Sequence, residues 1–149
     1  MIATDLKQLK TIKMKKTKIL YWTFTGLIVL LDGVMPALTS HTELAKQGIS
    51  HLGYPDYFRI LLAIFKVSGA IILALPFFKG RIKEWAYAGF TFNFICAAVS
   101  HAAVDGFNGQ TLFPLIVLVL LGASYHYYHK LRKASVSQTA NETLQYSLG

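Results

Sequence analysis

The 149-residue chain is poor in acidic residues, in cysteine and in proline. Seven acidic residues stand against 15 lysines and arginines, and there are one cysteine and four prolines. Because Cys96 is alone, a disulfide within the chain and a two-thiol redox cycle are both excluded. The sequence also lacks a glycine-rich phosphate loop, a G-x-S-x-G motif and an H-E-x-x-H motif, which argues against common nucleotide-binding, hydrolase and zinc-protease classes.

Apolar residues, in contrast, make up 54% of the chain. They form four stretches of about the length that crosses the hydrocarbon core of a bilayer, namely 19–38, 58–78, 85–104 and 112–128. Short connections predict antiparallel neighbours, and therefore an all-α, integral membrane, up-down four-helix bundle over residues 18–133. Residues 1–17 are predicted to be a basic tail, and residues 134–149 a polar tail without secondary structure.

The net charge of +8 is concentrated at the ends of the apolar stretches. Basic residues precede the first stretch, separate the second from the third at 79–83, and follow the fourth at 130–133. The connections on the other side carry only Lys46 and the border residue Arg59, or no basic residue. This alternation predicts that both termini are cytoplasmic. It argues against a nucleic-acid partner and favours contact of the basic tail with anionic lipid.

The amino terminus allows more than one interpretation. Lysines after Met14 and the apolar run that follows resemble a secretory signal. The run is about 20 residues long and lacks a clean A-x-A cleavage site, so we favour a retained helix. Met14 is also an alternative start, in which case residues 1–13 would be a dispensable tail.

Polar residues inside the apolar stretches are the candidates for function, because such groups are costly in lipid. Asp32 lies roughly 9 Å below the end of the first stretch and Lys66 roughly 12 Å below the end of the second, at a rise of about 1.5 Å per residue. The two are therefore predicted to lie at similar depth and to pair. Asn93 is expected deeper, as the floor of a polar pocket, and His101 nearer the mouth.

Two interpretations of this cluster stay open. In one, Asp32, Lys66, Asn93 and His101 bind the head group of a quinone or another amphiphile, and His101 exchanges protons. In the other, Lys66 and Asp32 form a salt bridge that serves only packing.

The remaining histidines give weaker signals. His126 and His129 have i,i+3 spacing, but no third ligand is near in sequence, so no metal site is predicted. No pair of histidines lies at equal depth on facing helices, as a haem would require. His41 and His51 would meet His101 only if the long first connection folded down, which we do not expect.

Spacing also predicts which faces point inward. Small residues on the third stretch repeat at helical intervals, which predicts an interior face made of Ala86, Gly89, Asn93, Ala97 and Ser100. The aromatic residues Phe90, Phe92 and Phe94 are then predicted to face lipid or other neighbours. Tyrosines and tryptophans near the basic ends predict an interfacial aromatic belt composed of Tyr21, Trp22, Trp85, Tyr87, Tyr127 and Tyr128.

Several of these segments, in this order, resemble the DoxX-like family. The resemblance is carried by the run from His51 to Pro55, the run from Phe65 to Ala70 with Leu75-Pro76, the run from Lys83 to Phe90, and Ser100-His101. It covers roughly residues 19–130. It implies a four-helix protein of the bacterial inner membrane. Some relatives are associated with thiosulfate:quinone oxidoreduction, and others with oxidoreductase assemblies that defend against oxidative stress.

The resemblance and the polar pocket together suggest an accessory subunit. Such a protein would bind quinone or lipid and associate with subunits of a membrane oxidoreductase. The alternatives are a small transporter or channel, which would need a homo-oligomer, and a quinone-reducing enzyme in its own right. The sequence contains no dithiol, haem pair or flavin motif, so electrons have no evident route in such an enzyme. Quinone is the cofactor that the resemblance and the polar pocket suggest.

Overall fold

The computed structural model describes residues 2–148, with side chains described for residues 11–137, 139, 140, 143 and 147. Over this part the chain is helical and contains no strand. The elements are α1 (Ile2–Ile28), a π-helical turn (Val29–Val34), α2 (Met35–Thr39), α3 (Glu43–His51), α4 (Asp56–Ala74), α5 (Arg81–Asp105) and α6 (Gly109–Leu148). Four segments are long and apolar enough to cross a membrane, namely Thr11–Thr39, Asp56–Ala74, Arg81–Asp105 and Gly109–Ser137. The predicted all-α membrane bundle is confirmed.

The long helices form a closed ring of antiparallel neighbours. Helix α1 packs against α6 and, through the π-helical turn, against α4, while α5 packs against both α4 and α6. One end of the bundle carries α3 and the connection between α5 and α6, and we call it the α3 end. The opposite end carries the connection between α4 and α5 and both terminal extensions, and we call it the tail end.

The prolines set two of the helix boundaries. Leu75 is extended, with ψ of 126°, because the residue before a proline disfavours the helical region, so α4 ends at Ala74. The predicted end of this stretch at residue 78 is therefore too late. Pro36 instead lies in the first turn of α2, where a missing backbone donor is tolerated, and the helical path continues to Thr39.

Both predicted tails are helical where the structure describes them. Helix α1 begins at Ile2, and Thr17 within the predicted basic tail is buried. Helix α6 continues to Leu148, so the prediction that residues 134–149 lack secondary structure is wrong for that segment. No glycine or proline stands between Ala123 and Leu148, so nothing in the backbone ends the helix there.

Two of the phenylalanines on α5 point inward, contrary to the prediction. Phe90 and Phe94 are each 3% exposed, whereas Phe92 is 68% exposed. Gly69 on α4 explains why Phe90 is buried. A Cβ atom on Gly69 would come within 2.9 Å of the Phe90 ring, so the absent side chain makes the space that the ring fills. Gly89, predicted to face inward, is exposed.

The aromatic residues near the tail end divide into two sets. Trp22 and Trp85 are exposed, as an interfacial belt requires. Tyr21, Tyr87 and Tyr128 are buried in the core, and their hydroxyl groups have partners inside the bundle. The predicted belt is therefore wrong for these three tyrosines.

Candidate functional site

Helix α3 packs against α4 and covers the α3 end of the bundle. The Thr42 hydroxyl begins the helix by accepting a hydrogen bond from the backbone N–H of Ala45 at 3.3 Å. Gly53 reverses the chain with a φ of +81°, a conformation that glycine adopts without strain. The hydroxyl group of Tyr54 then lies 2.7 Å from that of Ser100 on α5. These contacts hold the long first connection against the membrane helices.

Below α3, Asp32 and Lys66 form the predicted ion pair. Lys66 Nζ lies 2.7 Å from Asp32 Oδ1, and the side chains are 22% and 8% exposed. Asp32 belongs to the π-helical turn, a type of irregularity frequent at functional sites. The neighbouring Gly33 lets α4 come close, because a Cβ atom there would lie 2.4 Å from Cβ of Ala70.

A second cation lies nearer the mouth of the same region. Arg59 is buried and donates from Nε to Asp56 Oδ1 at 2.8 Å and from Nη2 to Asp56 Oδ2 at 3.1 Å. Its Nη1 donates to the backbone carbonyl of Ser40, at the end of α2. The guanidinium thus links α4 to the segment that leads into α3, and its charge is matched by its own carboxylate.

These elements line a cavity of about 300 Å³ that is open to the surface of the bundle, which we name the α3-end cavity. This volume is at the lower limit of the range typical of small-molecule sites. Apolar and small side chains form most of the wall, together with the side chains of one arginine, one lysine and one histidine. The lining residues are Pro36, Thr39, Ser40, Ala45, Gly48, Ile49, Leu52, Arg59, Leu62, Ala63, Lys66 and His101.

His101 also belongs to a cluster with a second histidine. Its Nδ1 lies 3.0 Å from Asp105 Oδ2, and His51 Nε2 lies 2.5 Å from the other oxygen, Oδ1. The expectation that His51 stays apart from His101 is therefore wrong. The reason is that α3 returns over the bundle and places its last residue beside the end of α5. The carboxylate that joins the two histidines belongs to Asp105, the last residue of α5.

Asn93 is the predicted site residue that lies apart from this cavity. Its side-chain nitrogen Nδ2 is buried and has no hydrogen-bond partner among the described residues, and Asn93 is not part of the cavity wall. The predicted pocket floor is thus formed without it. Lys66 and His101 line the cavity. Asp32 is not part of the wall, but it forms an ion pair with Lys66.

The tail end holds a polar cluster that sequence reasoning missed. Lys83, which belongs by sequence to a basic connection, is 3% exposed. Its Nζ donates to the Tyr21 hydroxyl at 2.9 Å and to the Leu73 carbonyl at 3.0 Å. The ammonium also lies 5.6 Å from the centre of the Tyr128 ring, within the range of a cation–π contact. A lysine that donates to a carbonyl in the last turn of α4 is favourable for the helix dipole.

A chain of hydroxyl groups continues this cluster into the bundle. Ser124 Oγ lies 2.8 Å from the Tyr87 hydroxyl and 2.7 Å from Thr25 Oγ1. Ser124 and Thr25 are both fully buried, so the three groups join α1, α5 and α6 in a place where water has no access. The hydrogen bonds satisfy these buried hydroxyl groups and link the three helices.

At the same end, His129 lies 3.1 Å from Glu84 Oε1, and Arg132 lies 3.7 Å from the same atom. These contacts cross between α5 and α6. Among the described residues, no group of three or more histidine, cysteine, aspartate or glutamate side chains has the geometry to hold a metal ion. The tail end therefore presents structural ion pairs, hydrogen bonds and a pocket of about 480 Å³ between α5 and α6. The smaller cavity at the α3 end differs from it by its three basic lining residues, Arg59, Lys66 and His101.

Comparison of the sequence with models of known protein families gives a match. The model of the DoxX-like family matches residues 22–124, which is more than half of the chain and includes Asp32, Lys66, Asn93 and His101. Comparison with curated proteins and with solved structures gave no match.

Proposed function

The chain belongs to the DoxX-like family of membrane proteins, and we propose that it is an accessory subunit that binds a quinone in the α3-end cavity. In this proposal it associates with subunits of a membrane oxidoreductase or stress-defence assembly in the bacterial inner membrane. The observation that carries the proposal is the charge balance of the cavity. Arginine and lysine both line it, yet each is matched by its own carboxylate.

The two ion pairs leave little net charge for a ligand to neutralise. Lys66 is held by Asp32 and Arg59 is held by Asp56, so an anionic head group would have to compete with a carboxylate already in place. A quinone needs only hydrogen-bond donors for its carbonyl oxygens and apolar walls for its ring. Lys66 and His101 supply donors, and Leu62 and Ile49 supply apolar wall.

The position of the cavity also suits a ligand that arrives from lipid. It is lined by α2, α3, α4 and the end of α5 and is open to the outer surface of the bundle. Leu38 and Leu44 are 63% and 81% exposed at this end. An isoprenoid tail that extends from the cavity would therefore have apolar side chains to contact.

The distribution of basic residues supports an orientation with the tail end in the cytoplasm. Lys79 and Arg81 are exposed in the connection at that end, as are Lys15, Lys16 and Lys18 on α1. The α3 end would then face the opposite side. A cysteine introduced at Ser137 should react with a membrane-impermeant thiol reagent only after the membrane is opened, and reaction in intact cells would contradict this orientation.

The test of quinone binding is mass spectrometry of the organic extract of protein purified in mild detergent. We expect near-stoichiometric quinone with the parent chain and at least about 10-fold less with Lys66→Met, because a hydrogen bond from a charged donor is lost. Lys46→Met is the matched control, since Lys46 pairs with Glu43 on the exposed face of α3 and is not part of the cavity wall.

Ala63→Phe provides a second variant that leaves both ion pairs in place and fills the cavity with a ring. It should also purify without quinone while it keeps the parent melting temperature within a few degrees. Phospholipid without quinone in the parent extract would overturn the proposal, as would equal quinone in the parent, Lys66→Met and Ala63→Phe.

A further inference from the structure

The side chain of His101 joins the α3-end cavity to a carboxylate outside it. The imidazole lines the cavity, and its Nδ1 lies 3.0 Å from Asp105 Oδ2. Within the described residues, no hydrogen bond is made by its other nitrogen, Nε2. A carboxylate at Nδ1 orients an imidazole and fixes which nitrogen carries the proton, leaving Nε2 for the ligand.

His51 holds the same carboxylate from the opposite side. Its Nε2 lies at Asp105 Oδ1, so each oxygen of Asp105 is engaged by a different histidine. The exposed fractions fall from 58% for His51 to 13% for Asp105. Because His51 is the last residue of α3, the orientation of Asp105 depends on α3 lying closed over the cavity.

From this geometry we propose that His101 is the proton-exchanging group for the quinone of the α3-end cavity, and that Asp105 and His51 are the residues that position it. The proposal rests on the proposed quinone function. The other charged groups that line the cavity are less suited to this role. Arg59 does not lose its proton. Loss of a proton from Lys66 would leave the buried carboxylate of Asp32 without a charged partner, whereas His101 can release the proton on Nε2 and keep the contact of Nδ1 with Asp105.

Reduction of the quinone consumes two electrons and two protons and yields a quinol. The electrons come from a donor, which in the proposed assembly is an associated oxidoreductase subunit. For the first proton, the Nε2–H bond of protonated His101 breaks as an O–H bond forms on the reduced ring. Asp105 stabilises the imidazolium before transfer and keeps its contact with Nδ1 afterwards. Solvent supplies the second proton and then restores the proton on Nε2.

The test uses the full chain in detergent, loaded with a short-chain benzoquinone and reduced in a stopped-flow instrument with dithionite, which supplies the electrons. Quinone affinity is measured separately by equilibrium dialysis. Quinol formation in Asp105→Asn should be at least about 10-fold slower than in the parent, because a positioned proton donor contributes roughly 10² or more to such steps. Affinity for the quinone should fall by a smaller factor than the rate, because Lys66 and the apolar wall of the cavity still bind it.

Two further variants separate positioning from packing. Asp105→Glu retains the carboxylate and should recover part of the rate. If Asp105 served only packing, Asp105→Asn, which keeps nearly the same shape, would form quinol at the parent rate. His51→Gln should slow quinol formation by less than Asp105→Asn does. His41→Gln is the matched control, because His41 is also an exposed histidine of the first connection and lies ten positions before His51 in sequence.

The two proposals fail in different ways. If the parent does not bind the benzoquinone, both the proposed function and this inference are overturned. If the parent binds it and Asp105→Asn forms quinol at the parent rate, the assignment of His101 and Asp105 is wrong while the quinone site stands. An identical loss of rate in His41→Gln and His51→Gln would also contradict the positioning role.

Discussion

The two ends of the bundle each enclose a lysine, and they treat it differently. At the α3 end, Lys66 is paired with the carboxylate of Asp32 and borders a cavity. At the tail end, Lys83 is more deeply buried, at 3% exposed, and its partners are a phenol and a backbone carbonyl. Among the described side chains, no carboxylate lies within ion-pair distance of Lys83.

The difference distinguishes a lysine beside an open site from a lysine that closes a helix end. Lys83 satisfies the last turn of α4 and packs against tyrosine rings, which uses its donors within the core. Lys66 keeps a face toward a space of about 300 Å³. Burial alone is therefore a poor guide to function in this chain, and the partners and the adjacent space are more informative.

The largest expected effect concerns the pair of Lys66 and Asp32. Lys66→Met should lower the free energy of unfolding by about 3–5 kcal/mol, because the buried carboxylate of Asp32 is left without its partner. Asp32→Asn should cost less, because the Lys66 side chain is partly exposed. The double variant should be more stable than either single variant. Equal melting temperatures in detergent for all four proteins would show that the pair contributes no coupling.

A smaller loss is expected where the π-helical turn packs against α4, which is the contact that brings Asp32 to Lys66. Gly33→Ala should cost about 1–3 kcal/mol through overpacking, since the new Cβ atom would meet Ala70 at 2.4 Å. Gly26→Ala is the control on the same membrane segment, because a Cβ atom there meets nothing within 4 Å. Similar unfolding energies for the two alanine variants would contradict the close approach.

The smallest effect is expected at the tail end. Lys83→Met should cost about 1 kcal/mol, because hydrogen bonds to Tyr21 and Leu73 are lost but no carboxylate is left unpaired. Quinone content should stay at the parent level. Lys79→Met, at an exposed lysine in the same basic connection, serves as the control. A loss as large as that of Lys66→Met, measured by thermal unfolding, would remove the distinction between the two lysines.

Depth along the membrane normal is predictable from this sequence, and rotation about the helix axes is less so. A rise of about 1.5 Å per residue is enough to place Asp32 and Lys66 at similar depth, and the pair is formed. Periodicity assigns Phe90 and Phe94 to the outer surface, although they are buried. Gly69 decides the position of Phe90, and a missing side chain on one helix gives no periodic signal on another.

The first connection shows the same limit for segments between helices. Thr42 and Glu43 predict the start of a short helix, and α3 begins there, but Gly48 does not end it as predicted, because the helix continues to His51. The contact of His51 with Asp105 depends on the direction in which α3 returns over the bundle. That direction is set by Gly53 and by the contact between Tyr54 and Ser100, which join residues 46 positions apart in sequence.

That this chain is a four-helix membrane protein of the DoxX-like family follows from length, apolar runs and motif order, which are local properties that need no partner. The similar depth of Asp32 and Lys66 follows from the same local properties. Which groups meet across helices depends on the packing of the folded chain, which forms the charge-balanced cavity beneath α3, joins His51 and His101 through Asp105, and buries Lys83 among tyrosines. Such contacts depend on helix rotation and loop direction, which are set by shape complementarity between distant residues.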